Sequence, residues 1–477
     1  MFFVQLGMTA DEKLKMMTQE PVERLICSLA VPTIVSMLIT SIYNMADTFF
    51  VSKISTSASG AVGVSFSLMA IIQALGFTFG IMGSGNYISR LLGQKKRQDA
   101  AKVAATGFFT TLGVGAVVSV LGLTFLDPLV YALGATDTIA PYAKSYLGYI
   151  LIGTPYMASS FVLNNILRFQ GSAFYAMLGI GTGGIINIVL DPIFIFGLNM
   201  GISGAALATI ISQFISFLIL LRNSSVGDNI KIRFQNFTPQ WRIYREIFRG
   251  GLPSFYRQIL ASIAMICLNF SAGAFGDAAI AAMSIVARVF QFAVSAVIGF
   301  GQGFQPVCGF NYGAKRYDRV LKAFWFSVKT AAIVLVTVSA VGFIFSSQIM
   351  TLFRKEDLAV IAIGSRALKF HCFCFPLSAW IIVTNMLLQT IGKATEASII
   401  AVSRQGLFFL PAILLLPRQF GLIGVQISQP IADIFTFLVA LLMGTRVLKE
   451  LNLGARHMKQ HIGRFGKTKH SYVTERV

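Results

Sequence analysis

Two carboxylates stand where little nearby in sequence could solvate them. In "NIVLDPIFIFG" (187–197), Asp191 interrupts a run otherwise free of charge, flanked by "GTGGII" and "GLNMGISGAALATIISQFISFLILL". Asp47 does the same in "SIYNMADTFFV" (41–51). An acid inside a long apolar run costs roughly 3 kcal/mol on insertion scales, and such residues mark ion or substrate paths. Asn187 lies four residues before Asp191, so the two share a helix face. Its amide can donate to the carboxylate, or accept from it once protonated. Tyr43 sits one turn before Asp47, and Thr209 and Gln213 form another polar pair four apart. The chemistry open to such a set is reversible capture of a proton or a small cation. Removal from water favours the neutral carboxyl, which brings proton exchange toward neutral pH. Plainer readings stand beside it: Asp47 as a mark of the outer interface, and Asp191–Pro192 as a pair that shapes a helix.

The elements that carry these residues are membrane helices. The 477-residue chain is 55% hydrophobic and 12% charged, against about 25% charged in soluble proteins. Apolar segments recur at 25–51, 60–89, 103–126, 142–167, 174–197, 201–222, 247–275, 278–310, 322–346, 359–391, 395–416 and 421–446. Each is near or above the ~20 residues needed to cross a bilayer. The reading is an all-α polytopic membrane protein with twelve transmembrane helices. The net charge of +20 falls in short loops and in the tail, so orientation in the bilayer accounts for it and no nucleic-acid partner is expected. Even-numbered loops carry "RLLGQKKRQDAAK" (90–102), Arg168, the stretch 222–249, "KRYDRVLK" (315–322) and Lys393. Odd loops hold Lys53, Asp127, Asp137, Asp277, "RKED" (354–357) and Arg418. The positive-inside rule then puts both termini in the cytoplasm.

The chain is also written twice. A shift of about 220 residues lays its second half on the first, as in transporters built from parallel repeats. Pro32 meets Pro253, "GQKKRQDAAK" (93–102) meets "GAKRYDRVLK" (313–322), and Gly171 meets Gly392. The divisions that follow are a lead-in (1–24), a first lobe (25–222), an inter-lobe linker (223–246), a second lobe (247–448) and a basic cytoplasmic tail (449–477). Both acids lack a counterpart: Asp47 maps near Leu268–Asn269 and Asp191 near Pro411–Ala412. The ion site therefore belongs to the first lobe. Gln213, Asn269, Arg288, Gln291, Gln429 and Asp433 remain as candidates to line a substrate cavity, or to satisfy one another.

With these residues in hand, the chain resembles the multidrug and toxic compound extrusion (MATE) transporters, in their bacterial MepA-like, DinF-related branch, over residues 20–450. The resemblance rests on Pro32 with "ADTFFV", on "NYISRLLGQKK", on "NIVLDPIFIFGLNMGISGAALAT" and on "GFGQGFQPVCGFNYGAKR". It implies two pseudo-symmetric six-helix bundles around a central cavity. It also implies export of amphipathic, often cationic, drugs or toxic compounds in exchange for H⁺ or Na⁺, by a monomer in the plasma (inner) membrane. In relatives thought to use protons, the first-lobe cluster lands here on Tyr43, Asp47, Asn164, Asn187, Asp191 and Thr209. Pro32 matches a proline proposed as a hinge in the first span. The resemblance favours H⁺, because sodium-using members keep acids in the second lobe and this chain shows little there beyond Asp433. An Asp/Asn/Thr oxygen set can also ligate Na⁺, the alternative.

Other signals fail on context. "GIGTGG" (179–184) has no strand–turn–helix around it and reads as close helix contact. "IGKAT" (391–395) is no phosphate loop. "HCFCF" (371–375) lacks a second ligand pair, so no metal site and no cofactor are expected beyond the coupling ion. No acid/base–nucleophile constellation points to an enzyme. A lipid-linked oligosaccharide flippase of the same superfold is the alternative. It would need several intramembrane cations, and the chain offers Arg257, Arg288, Arg404 and Lys329.

Overall fold

The computed structural model describes residues 7–76, 83–353 and 357–474. A short helix α1 (Ala10–Gln19) precedes the first lobe, which comprises α2 (Val22–Ser52), α3 (Thr56–Gly76), α4 (Asn86–Gly93), α5 (Arg97–Thr124), α6 (Leu126–Ala132), α7 (Ala140–Phe169), α8 (Ala173–Pro192) and α9 (Gly201–Ser224). The second lobe comprises α10 (Trp241–Gly273), α11 (Asp277–Gly313), α12 (Tyr317–Ile344), α13 (Ser346–Phe353), α14 (Leu358–Cys374), α15 (Leu377–Ile391), α16 (Ala394–Val402), α17 (Phe409–Phe420) and α18 (Leu422–Thr474). Among the described residues, ten helices are long and apolar enough to span, and α14 with α15, bent by 56° at the break between them, make an eleventh when taken as one span. The expected span 60–89 includes residues 77–82, which lie outside the described residues. Two expected boundaries move. The linker turns helical at Trp241, and α18 runs unbroken from the last span into the tail.

The duplication is visible bond by bond. Asn164 Nδ2 donates to the Ala176 carbonyl at 3.2 Å, and Asn385 Nδ2, at the matching place, donates to the Ala397 carbonyl at 2.7 Å. Gly171 and Gly392 take φ of 86° and 90° to turn one helix into the next. Only glycine enters that region without steric cost. Lys95 and Lys315 also correspond, with φ of 62° and 58° in the tight turns after α4 and α11.

The lobes meet at the end that carries the basic loops. Here α2 and α4 pack on α11, and missing side chains set the distance. A Cβ on Gly93 would stand 2.2 Å from the Phe310 carbonyl oxygen, and one on Gly313 would stand 2.1 Å from the Arg90 carbonyl oxygen. A Cβ on Gly303 would meet the Ala30 backbone at 2.6 Å. Apolar contact fills in around these points: Leu25, Ile26 and Leu29 of α2 share one core with Phe304, Val307 and Phe324 of the second lobe. Thr390 Oγ1 donates to Asn86 Oδ1 across the interface at 2.9 Å.

Arg168, read from the sequence as a loop cation, is a correction. It is buried in the last turn of α7. Its guanidinium donates to Gln302 Oε1 of the second lobe at 2.5 Å, and to Asn165 Oδ1. It thus ties the lobes together instead of facing water. Toward the opposite end Ile42, Met45 and Phe49 of α2 are exposed.

Candidate ion and substrate site

Four first-lobe helices bring polar groups to one place. The glycines of "GIGTGG" explain how. A Cβ on Gly179 would collide with Leu220 at 2.3 Å, one on Gly183 with Ser216 at 2.7 Å, and one on Gly184 with the Tyr43 ring at 3.1 Å. The bare face of α8 therefore lets α9 and α2 approach closely enough for short side chains to touch. Pro192, which has no backbone N–H, ends the regular ladder directly after Asp191. A π-turn over Ile193–Gly197 follows, and Gly204 of α9 lies tight against the Phe194 carbonyl.

Asp191 is wholly buried, with Asn187 and Thr209 nearly so. Asn187 Nδ2 bridges Asp191 Oδ1 and Thr209 Oγ1, each at 3.4 Å. On α2, Asp47 meets the Tyr146 hydroxyl of α7, which also meets Thr209. Tyr43 meets Gln213 of α9. Among the described residues, three buried oxygens in this cluster have no hydrogen-bond donor: Asp47 Oδ1, Asn187 Oδ1 and Asp191 Oδ2. All three are acceptors, and a buried acceptor left unmet costs about 1–3 kcal/mol. An all-oxygen set of this kind is chemically suited to a proton or a hard cation.

The expected residues divide. Tyr43, Asp47, Asn187, Asp191 and Thr209 come together. Asn164 does not: its amide is spent on Ala176, fifteen residues before Asp191 on α8, or roughly 22 Å by helical rise. Gln213, considered for a substrate cavity, joins the first-lobe cluster through Tyr43. Tyr146 belongs to the cluster and was missed, because a tyrosine in an apolar run looks like any packing residue. Pro32 lies buried inside α2, which continues unbroken past it.

The second lobe holds a cavity of ≈ 190 Å³ walled by apolar residues such as Met265, Met283 and Phe290. Gln291, Gln429 and Asp433 line it, whereas Asn269 and Arg288 lie exposed outside its lining. Its polar end is internally paired. Arg404, in the π-turn Ser403–Leu407, donates from Nε to Asp433 Oδ1 at 2.8 Å. Gln429 Nε2 donates to the same oxygen at 2.9 Å. Arg404 and His371, whose ring lies 4.8 Å from that of Phe290, also line this cavity and were not foreseen in that role.

Two six-helix lobes joined at one end, with an acid pair buried in one of them, define a membrane carrier, and comparison with known proteins supplies its family. The MatE family model matches twice, over residues 32–193 and 253–414, so the matches begin at the corresponding prolines 32 and 253. The chain belongs to the MatE family of transporters. It is 29% identical over 440 residues to the multidrug export protein MepA of Staphylococcus aureus, covering 91% of this chain and 96% of that one. MepA of Staphylococcus haemolyticus is 28% identical over 429 residues, 89% and 93% of the two chains. Among solved structures, an outward-facing multidrug resistance MATE transporter superposes with a TM-score of 0.85 at 27% identity, over 91% of this chain and 98% of that one. A MOP superfamily transporter from Pyrococcus furiosus gives 0.86 at 27% identity, over 92% and 99%.

Proposed function

We propose that this protein exports amphipathic and cationic toxic compounds by antiport, with H⁺ as the coupling ion and Na⁺ as the alternative at the same oxygens. The observation that carries the reading is the convergence of the Asp47, Asn187, Asp191 and Thr209 oxygens from three helices on one site. A proton on either acid supplies a donor, and the empty, ionised pair attracts a cation. Drug export as such is supported by the relatives named multidrug export proteins, and the preference for cations is argued from the acid pair. With the basic loops in the cytoplasm, closure at that end makes the present form outward-facing. Protonation of the acid pair from outside removes its attraction for a cationic drug, and the drug leaves. Rocking of the lobes then opens the cytoplasmic end, where the proton departs and another drug enters. A monomer in the plasma membrane suffices, since both lobes lie in one chain. The flippase reading is not favoured: the relatives are named multidrug export proteins, and of the four cations it would draw on, Arg404 is tied to Asp433.

The test uses proteoliposomes loaded with a cationic dye, under a pH gradient or a sodium gradient. Dye movement driven by the pH gradient supports proton antiport. Movement driven by sodium alone moves the coupling ion, and movement under neither gradient overturns the reading.

A further inference from the structure

The helix α1 spans both lobes at their closed end. Its front is held by the first lobe and the linker folded against it. Lys13 is buried, and its Nζ donates to Ser172 Oγ at 2.9 Å and to Asn229 Oδ1 at 2.5 Å. The Ala10 N–H donates to Asp228 Oδ2 at 3.0 Å. The linker is itself fastened to the first lobe. Arg97 donates to the Asp228 carbonyl at 2.8 Å, and the Ile230 N–H donates to Gln170 Oε1 at 2.8 Å.

The rear of α1 is held by the second lobe. A helix end leaves its last carbonyls unpaired and partially negative, and three second-lobe side chains meet them. Asn311 Nδ2 donates to the Met17 carbonyl at 2.9 Å, Arg316 Nη1 to Thr18 at 2.7 Å and Arg319 Nη2 to Glu20 at 2.5 Å. Met16 and Met17 are buried in the same core as Phe304, Val307 and Val320.

We propose that α1 is a strap that holds the basic end shut, and that Lys13 is the residue that positions it. The proposal rests on the alternating-access reading above. When the lobes part at this end, α1 cannot keep both sets of partners, so one set must break in every cycle. Lys13 is suited to be the releasable side. It reaches its two acceptors with no carboxylate in hydrogen-bonding contact, and water can replace two neutral acceptors. Ser172 Oγ already donates to Asn229 Oδ1 at 2.8 Å, so these two remain paired when Lys13 leaves.

Spin labels at Gln98 and Asp318, exposed positions on opposite lobes beside the closure, report its width in full-length protein with Cys27 and Cys267 replaced by alanine. Lys13→Met is expected to raise the wide-distance fraction about tenfold, the worth of a lost bond to a charged group. Arg316→Ala with Arg319→Ala is expected to act in the same direction from the other side. Lys15→Met, which removes an exposed charge from the same helix, is expected to change nothing. Unchanged distances in the first two variants overturn the proposal, as does a fall in melting temperature without a change in distance. If Lys13→Met does not fold, Asp228→Ala, which removes the acceptor of the exposed Ala10 bond, takes its place under the same criteria. A distance shift with no ion-driven transport in the parent protein leaves the strap standing and counts against the coupling reading instead.

Discussion

Replacing Asp191 with asparagine keeps the side-chain shape and fixes that side chain in its neutral form. The new amide can donate to Asn187 Oδ1, which has no donor now, so the fold is expected to hold. The electrostatic consequence is larger. Asp191 lies one turn from Asn187, so a cationic centre at the level of Asn187 sits roughly 6 Å from the carboxylate. At that distance, with an effective dielectric of ~20, the attraction is about 3 kcal/mol. That corresponds to roughly 100-fold in affinity. Wild-type protein should therefore bind a cationic dye about 100-fold more weakly once Asp191 is protonated, with affinity falling as the pH drops. Asp191→Asn should bind weakly throughout, with most of that slope gone. Equilibrium dye binding by fluorescence anisotropy, at constant ionic strength, reads both quantities. An Asp191→Asn protein that keeps the wild-type pH slope would refute the reasoning, because the proton would then act elsewhere.

Three further outcomes are expected. Gly313→Ala drives a Cβ to 2.1 Å from the Arg90 carbonyl oxygen, and backbone cannot give way as a side chain can. The closed end should open at a cost of about 1–3 kcal/mol or more, read by the label pair described above, with Gly93→Ala giving a matching effect. Arg404→Met strands Asp433 as a buried, unpaired acid and should lower stability by about 3–5 kcal/mol. Thermal unfolding should show most of that loss recovered in the double variant Arg404→Met with Asp433→Leu. The third concerns Lys13, which burial, reinforced by Arg97 and opposed by Asp228, lowers from 10.5 to about 8. Docked α1 thus binds fewer protons than released α1 between those values, so docking strengthens as the pH rises. From about pH 7 to about pH 9 the gain is roughly tenfold, and the wide-distance fraction should shrink accordingly.

What the sequence revealed follows a physical rule. Asp47 and Asp191 were legible because acids are costly in apolar runs, and the cost shows in one dimension. The twelve spans and the duplication were legible from apolar length and from residues such as Pro32 and Pro253, which recur at fixed offset. Tyr146 was not legible, because an aromatic residue in a span costs nothing and so carries no mark. Asn164 misled for the opposite reason. It has the expected residue type, but its amide braces α7 against α8, as Asn385 braces α15 against α16. Arg168 misled because the last turn of a helix and the first residue of a loop look alike in sequence. Burial decides between them, and burial depends on the other lobe.

The reciprocal contact of Gly93 on the Phe310 carbonyl and Gly313 on the Arg90 carbonyl has the form of an interface between two identical subunits, drawn within a single polypeptide. Each lobe presents a bare glycine and an uncovered carbonyl, and each receives the same two features from the other. A half-length chain carrying this face would be complementary to a second copy of itself. Within one chain the lobes can differ away from the seam, as they do at the acid pair, while the seam itself stays symmetric.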